Sequence, residues 1–190
     1  SPQRLFNPHQ RGVPAGAMGQ SSASKLAVSP SQLGYTWGRG VAQMMKTTFD
    51  ADDSWGSTLN NLHSMATGTT YYGQDCTFFN FPDMLQVGGG AQTLAQYRAQ
   101  FLLWAVLGTP LILGADLTRL SPAELALVTA PEVLAINADP DCVQGSLLRH
   151  HDASEVWGRP LCDGSFAVVL LNKGMQPANV TLRPSYDAGG

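Results

Sequence analysis

The pattern of this 190-residue chain changes once, near Asp139-Pro140, and that change narrows the folds open to it. Before it, short apolar or β-branched runs alternate with helical stretches. After it, the chain reads as strand and turn. Strands alternating with helices specify a parallel sheet clothed by helices, whereas short strands separated by turn signals specify an antiparallel sheet. The fold class expected is therefore α/β, with a βα-repeating unit followed by the start of an antiparallel β domain. The boundaries are 1–24 for an irregular lead-in, 25–145 for the βα unit and 146–190 for the β domain.

Local signals place the elements. Lys25 to Ser29 reads as a strand ended by Pro30. Gly38 to Met45 carries a weak helical pattern, and Thr47 and Thr48 favour a strand. Asp52, Asp53 and Ser54 open a helix through about Met65, their carboxylates suiting its N-terminus. Cys76 to Phe79 is the next strand, and Gly88 to Gly90 a flexible break. Gln92 to Leu107 is a helix with Leu94, Tyr97, Phe101, Trp104 and Val106/Leu107 on its apolar face. Thr109 to Leu113 reads as a buried parallel strand. Ser121, Pro122 and Glu124 have the spacing of a helix start running to about Thr129, and Pro131 starts another short turn that ends near Asn137. Beyond the change, strands are expected at Glu155 to Trp157, Ser165 to Leu171 and Ala178 to Leu182, with a hairpin turn at Asp163-Gly164.

Composition excludes several classes. The chain is 44% hydrophobic and 13% charged, which suits a packed globular protein. A net charge of −3 offers no basic patch, so neither nucleic acid nor an anionic membrane is expected as a partner. No apolar run reaches the length of a membrane helix, and no signal-peptide pattern is visible in Ser1 to Gln20. Three cysteines, Cys76, Cys142 and Cys162, leave an odd one, and spacing alone does not assign a bridge. The four histidines share no ligand spacing with cysteine or with one another, so neither a metal site nor a cofactor is expected. There is no phosphate loop, dinucleotide fingerprint or nucleophile elbow. Trp104 and Trp157 read as packing residues. Asn179-Val180-Thr181 is a glycosylation sequon.

The chemistry-bearing candidates lie where strand-like runs give way to loop or helix. Asp50 follows Met45-Lys46-Thr47-Thr48-Phe49, and Asp83 follows Phe79-Asn80-Phe81-Pro82. In a βα-repeating chain the strand end is where catalytic groups sit. Paired carboxylates there suit glycoside hydrolysis, which needs one to protonate the leaving oxygen and one to attack or to activate water. The residues alone leave a second reading open, with Asp50, Asp52 and Asp53 as helix-start carboxylates and Asp83 as a turn residue. Lys46 could share a face with Thr48 and Asp50 on a regular strand.

Longer motifs carry a resemblance. Asp50-Ala51-Asp52-Asp53-Ser54-Trp55, Pro82-Asp83-Met84-Leu85-Gln86-Val87-Gly88, Leu103 to Ile112, Ala115-Asp116-Leu117, Leu120-Ser121-Pro122, Pro131 to Pro140 and Val143-Gln144-Gly145 resemble the second half of a family 27 glycoside hydrolase. This is the family of α-galactosidases (melibiases) and α-N-acetylgalactosaminidases. Glu155 to Trp157 and Ala167 to Leu171 resemble the first strands of its C-terminal β-sandwich. The likeness covers roughly residues 25–182.

The resemblance implies the second half of a (β/α)8 TIM barrel followed by the start of an antiparallel β-sandwich. It implies a retaining hydrolase that removes terminal α-linked galactose. Asp50 matches the family's acid/base aspartate. Lys46 matches a sugar-contacting arginine, and Asp83 and Met84 match residues lining the galactose pocket. The chain departs from the family at four positions. Lys46 stands for that arginine, Met45 for the tryptophan before it, Phe79 for a tryptophan and Phe81 for an aspartate. These departures motivate an alternative, a catalytically inactive, lectin-like galactose-binding paralogue.

Nothing before residue 25 matches the family's nucleophile. Four strand candidates make half a barrel, and half a barrel leaves costly open edges. The chain is therefore expected to be a piece of a longer protein, inactive alone. The resemblance further implies an α-galactoside as partner, homodimerisation as an open option, and a secreted or vacuolar/lysosomal location. The choice among galactose, N-acetylgalactosamine and β-L-arabinopyranose falls to the loop after Val28-Ser29.

Overall fold

The computed structural model describes residues 38–71 and 74–183. The expected strand at Lys25 to Ser29, the lead-in and the specificity loop lie outside these residues. In chain order the elements are β1 Met44–Lys46, α1 Trp55–Tyr71, β2 Phe79–Phe81, α2 Leu94–Leu107, a 3-10 turn Leu117–Arg119, α3 Pro122–Val128, α4 Pro131–Asn137, β3 Ser146–His151, β4 Ser154–Pro160 and β5 Phe166–Asn172.

β1 and β2 pair in parallel, with Lys46 opposite Phe81. The pairing runs on through the Thr47 N–H to the Phe81 carbonyl at 3.0 Å. Leu85 then bridges Leu113 in parallel, so the 110s segment extends the same layer. The strand therefore forms slightly earlier than Thr47 and Thr48 suggest, and β2 slightly later than Cys76 to Phe79. The expected helical pattern over Gly38 to Met45 is a single turn, closed by the Val41 and Ala42 N–H groups on the Gly38 carbonyl, before β1 begins. Thr109 to Leu113 is not the fully buried strand expected. Ile112 is 39% exposed and only Leu113 makes a ladder contact. Pro110 removes one donor, and no strand lies beyond this segment among the described residues.

α2 is the best-buried element. Thr93 and Gln96 close a capping box at its start, and Gly108 ends it at φ 67 with its N–H on the Ala105 and Trp104 carbonyls. From Leu103 to Leu107 every residue is buried, so this half is covered all round rather than along one stripe. Leu85 and Val87 from the βα unit and Trp157, Ala167 and Leu171 from the β unit share one core cluster with it. Leu94, expected on the apolar face, is 39% exposed in the first turn. α3 starts with the expected Ser121–Glu124 capping box, and α4 follows from Pro131.

β3, β4 and β5 form an antiparallel sheet in that order, with a bulge between Leu147 and Arg149. The Asp163-Gly164 turn joins β4 to β5 as expected, with Gly164 at φ 83. β3 is an addition to the sequence reading, because Ser146-Leu147-Leu148-Arg149-His150-His151 does not alternate. The expected strand at Ala178 to Leu182 does not form among the described residues. Trp104 and Trp157 are both fully buried, as packing residues should be. A parallel layer clothed by helices and followed by an antiparallel sheet is the arrangement expected of part of a TIM barrel leading into a β-sandwich.

A covalent tie closes the βα unit on itself, and an ionic cluster crosses from that unit to the β sheet. Cys76 and Cys142 form a disulfide with Cα atoms 5.2 Å apart, and Cys162 is free and exposed. A bridge closing 66 residues removes about 4 kcal/mol of unfolded-chain entropy in the loop-closure picture. Glu155 on β4 is fully buried. It accepts from Lys173 Nζ at 2.6 Å, His63 Nε2 on α1 at 2.7 Å, Trp157 Nε1 at 2.9 Å and His150 Nδ1 at 3.1 Å. Burial alone pushes this carboxyl up, but the bonds from His63, Lys173 and Trp157 outweigh it and hold Glu155 far below the usual range.

A carboxyl depressed in the folded state contributes stability that is complete above its unfolded value and is lost as pH falls toward the folded one. Unfolding free energy is thus expected to decline below about pH 4.5, the ordinary glutamate value. Glu155→Gln should flatten that acid decline. Lys173→Met, which strips one partner from a buried charge, should cost about 3–5 kcal/mol. Urea unfolding across pH checks both. An acid limb unchanged in Glu155→Gln would assign the decline to other carboxylates.

Candidate functional site

Lys46 ends β1 and Asp83 lies two residues beyond β2. The two strands are parallel and adjacent, so both residues project from the same, C-terminal edge of the layer. Lys46 Nζ is 2.7 Å from Asp83 Oδ2 and also forms an ion pair with Asp50. One ammonium therefore bridges two carboxylates. The approach of Lys46 to Asp50 does not come from a regular strand, because the chain leaves the sheet after Thr47 and folds Asp50 back.

The two carboxylates differ in surroundings. The Asp50 side chain is fully exposed, and that of Asp83 is only 12% exposed. Asp83 Oδ2 accepts from the Ala51 N–H at 2.7 Å, and Oδ1 from the Met84 N–H at 2.9 Å. Desolvation pushes the Asp83 carboxyl up, yet Lys46 and these two N–H groups together hold it below the ordinary range. Burial likewise works against the Lys46 ammonium, while Asp50 and Asp83 raise its pKa overall. Asp83 also sits at φ 78, a left-handed conformation uncommon for a residue with a Cβ. Its carbonyl is held by the indole N–H of Trp104 at 3.0 Å. Backbone held in this region costs on the order of 1–2 kcal/mol and persists where surrounding bonds fix it.

The structure thus gathers Lys46, Asp50 and Asp83, and leaves Met84 beside them, 41% exposed over Gly114. Asp52 and Asp53 do not cap α1 as expected. Ser54 does so, its Oγ accepting from the Ser57 N–H at 3.2 Å. Asp53 reaches across instead to the Ala91 N–H at 2.7 Å, Gln92 Nε2 at 3.0 Å and the Tyr97 hydroxyl at 2.8 Å. It pins the glycine turn, where a Cβ on Gly89 would lie 2.3 Å from Asp53 Oδ2. The Gly88 to Gly90 break is thereby tied down.

Asn61 is the residue that the sequence reading missed. It is 1% exposed on α1, and its Nδ2 donates to the Phe49 carbonyl at 3.2 Å and the Pro82 carbonyl at 3.1 Å. The available signal was an amide on the helix face that also carries Thr58, Leu62 and Met65. Among the described residues no group of three or more His, Cys, Asp and Glu side chains could hold a metal ion, and no helix is long and apolar enough to cross a membrane.

Known proteins resemble this chain in sequence and fold. A family model described as alpha galactosidase A matches residues 21–139, and one described as the alpha galactosidase A C-terminal beta sandwich domain matches 142–185. A Dictyostelium discoideum protein named "Probable alpha-galactosidase" is 38% identical over 184 residues, covering 94% of this chain and 47% of its own. The α-galactosidase of Cyamopsis tetragonoloba is 32% identical over 176 residues, covering 90% and 42%. A crystal structure from Bacteroides fragilis, solved as a candidate α-galactosidase/melibiase, superposes with a TM-score of 0.78 at 29% identity, covering 83% of this chain and 37% of that one. The chain spans less than half the length of these relatives.

Replacing Lys46 by Met should move the Asp83 titration upward, because the carboxylate loses its cation. A carbon-13 carboxyl NMR titration reads this directly. An Asp83 midpoint unmoved by the substitution would show that the Ala51 and Met84 N–H groups suffice.

Proposed function

The chain belongs to the α-galactosidase A (melibiase) family, and from that premise we propose that it carries the acid/base half of a retaining α-galactosidase active site. In the complete enzyme an aspartate from another barrel strand attacks the anomeric carbon. Asp50 protonates the departing glycosidic oxygen, then takes a proton from the water that opens the glycosyl-enzyme. In retaining catalysis the two carboxyls stand about 5–5.5 Å apart. Lys46, Asp83 and Met84 contact the sugar. The ammonium and the ionised Asp83 offer a donor and an acceptor to its hydroxyls, and Met84 an apolar edge. The substrate class is terminal α-linked galactose on oligosaccharides or glycoconjugates.

One observation carries this reading. A single ammonium holds two strand-end carboxylates at the C-terminal edge of a parallel layer, one exposed and one enclosed. The exposed Asp50 is free to meet a leaving group and water. The enclosed Asp83 is fixed and ionised, as a group that binds rather than shuttles protons. The domain boundary at residues 145 and 146 fits the same reading, with β3 opening the β-sandwich. The Cys76–Cys142 disulfide supports an oxidising compartment, in keeping with secretion or a vacuolar or lysosomal location. Homodimerisation remains part of the proposal and is read by sedimentation velocity.

Acid catalysis matters most when the leaving group is a poor one. In the complete enzyme, Asp50→Asn should cut kcat/KM by about 10²–10⁴ on a galactosyl-sugar substrate. On a dinitrophenyl α-galactoside, whose leaving group departs without a proton, the loss in the bond-breaking step should be far smaller. Turnover near the unsubstituted level on both substrates would remove Asp50 from the acid/base role. Galactose binding without any hydrolysis by the complete protein would favour the lectin-like alternative.

A further inference from the structure

We propose that Asn61 is a positioning residue that sets the separation of Asp50 from Asp83. The inference rests on the acid/base reading of Asp50. The two hydrogens of its Nδ2 are shared between the carbonyls of Phe49 and Pro82, at 3.2 and 3.1 Å. Phe49 is the residue before Asp50, and Pro82 the residue before Asp83. One buried amide therefore clamps the backbone immediately upstream of each carboxylate. Asn61 touches neither carboxylate, so it acts through the two loops.

The leverage comes from the contrast between the loops. Asp83 is held three further times, by Ala51, Met84 and Trp104. The Asp50 side chain is fully exposed, with Lys46 as its one side-chain partner among the described residues. A flexible lysine stem does not fix a position, so the place of Asp50 follows from its backbone. That backbone is tied at Phe49 by Asn61 and at Ala51 by Asp83. Asn61 itself does not move readily. It is 1% exposed on α1, flanked in the core by Leu62 and Met65, each with no exposed surface. Without the amide, the Pro82 carbonyl loses this donor and the Phe49 carbonyl keeps only the Thr48 hydroxyl at 3.3 Å, and the Asp50 loop is the freer to yield.

A shift of the acid/base carboxyl by an ångström is felt at the leaving-group oxygen, because proton transfer needs hydrogen-bond reach. The binding side, carried by Asp83 and Lys46, is less affected. Loss of Asn61 should therefore mimic a weakened general acid rather than a loosened fold.

The test compares Asn61→Ala, Asn61→Ser and Asp50→Asn in the complete enzyme. The quantity read is the ratio of kcat/KM on a dinitrophenyl α-galactoside to that on a galactosyl-sugar substrate. This ratio is independent of the active fraction, so partial unfolding cancels from it. Serine keeps one donor, and any folded fraction of that milder variant suffices for the measurement. The expected result is a ratio raised on the order of tenfold in Asn61→Ala, less in Asn61→Ser, and most in Asp50→Asn. A ratio unchanged in both Asn61 variants, with Asp50→Asn raised, overturns the inference and leaves the acid/base reading standing. A ratio flat in Asp50→Asn as well overturns that reading, and this inference with it.

Discussion

The burial of α2 on both sides is the constraint from which the rest of the structure follows. A helix covered along one stripe could end a domain. A helix covered all round at Leu103 to Leu107 needs a layer on each face, and the two units supply one each. Burying each large apolar side chain here contributes about 1.5–3 kcal/mol. The parallel layer and the antiparallel sheet are thus held to a common core rather than strung on a linker. Trp104 carries that core to the site. Its ring is fully buried, while its indole N–H holds the Asp83 carbonyl at 3.0 Å. The left-handed backbone at Asp83 is maintained by the same residue that fills the centre of the fold.

The seam between the units is polar where the core ends. Arg159 on β4 is 1% exposed and donates to the carbonyls of Val143 and Ile136. The Ile136 carbonyl belongs to the last turn of α4, where helical acceptors lack partners of their own. The guanidinium lies so close to Gly108 that a Cβ there would stand 2.0 Å from Nη1. Glycine is required at this point twice over, for its φ of 67 and for the approach of Arg159. Glu155 does the equivalent from the other end of the strand, drawing His63 of α1 onto the sheet. Buried charges of this kind add little net stability but tolerate few alternative packings, so they fix how the units meet.

What the sequence made legible was local, and what it hid was relational. The α3 start could be read because Ser121, Pro122 and Glu124 carry its capping within four residues. α2 could be read from its apolar content, although one stripe was expected where two faces are covered. β3 escaped because its strand character comes from its partner. Its residues pair with Ser154 to Gly158 and place His150 on Glu155, and neither fact is written in Ser146 to His151. The strand expected at Ala178 to Leu182 fails for the same reason. Its composition suits a sheet, but no described strand pairs with it. At the site, Asp50 and Asp83 were legible as strand-end carboxylates. Asn61 was not, since its meaning lies in two carbonyls 12 and 21 residues away. A polar residue on a buried helix face marks such a clamp without saying what it holds.

A lysine rather than an arginine at position 46 has a physical sense in this geometry. An arginine fork meets one carboxylate edge-on through two donors in a plane. A lysine ammonium is a point with three donors, and here it turns toward Asp50 and Asp83 together. The price is directional control, because a point charge on a flexible stem attracts both carboxylates without orienting either. Orientation must then come from elsewhere. Ala51 and Met84 supply it for Asp83, and the backbone tie at Phe49 supplies it for Asp50. A site with lysine at this position leans more heavily on its backbone clamps than one with arginine, which is why a buried amide on the neighbouring helix can matter to a carboxylate it never touches.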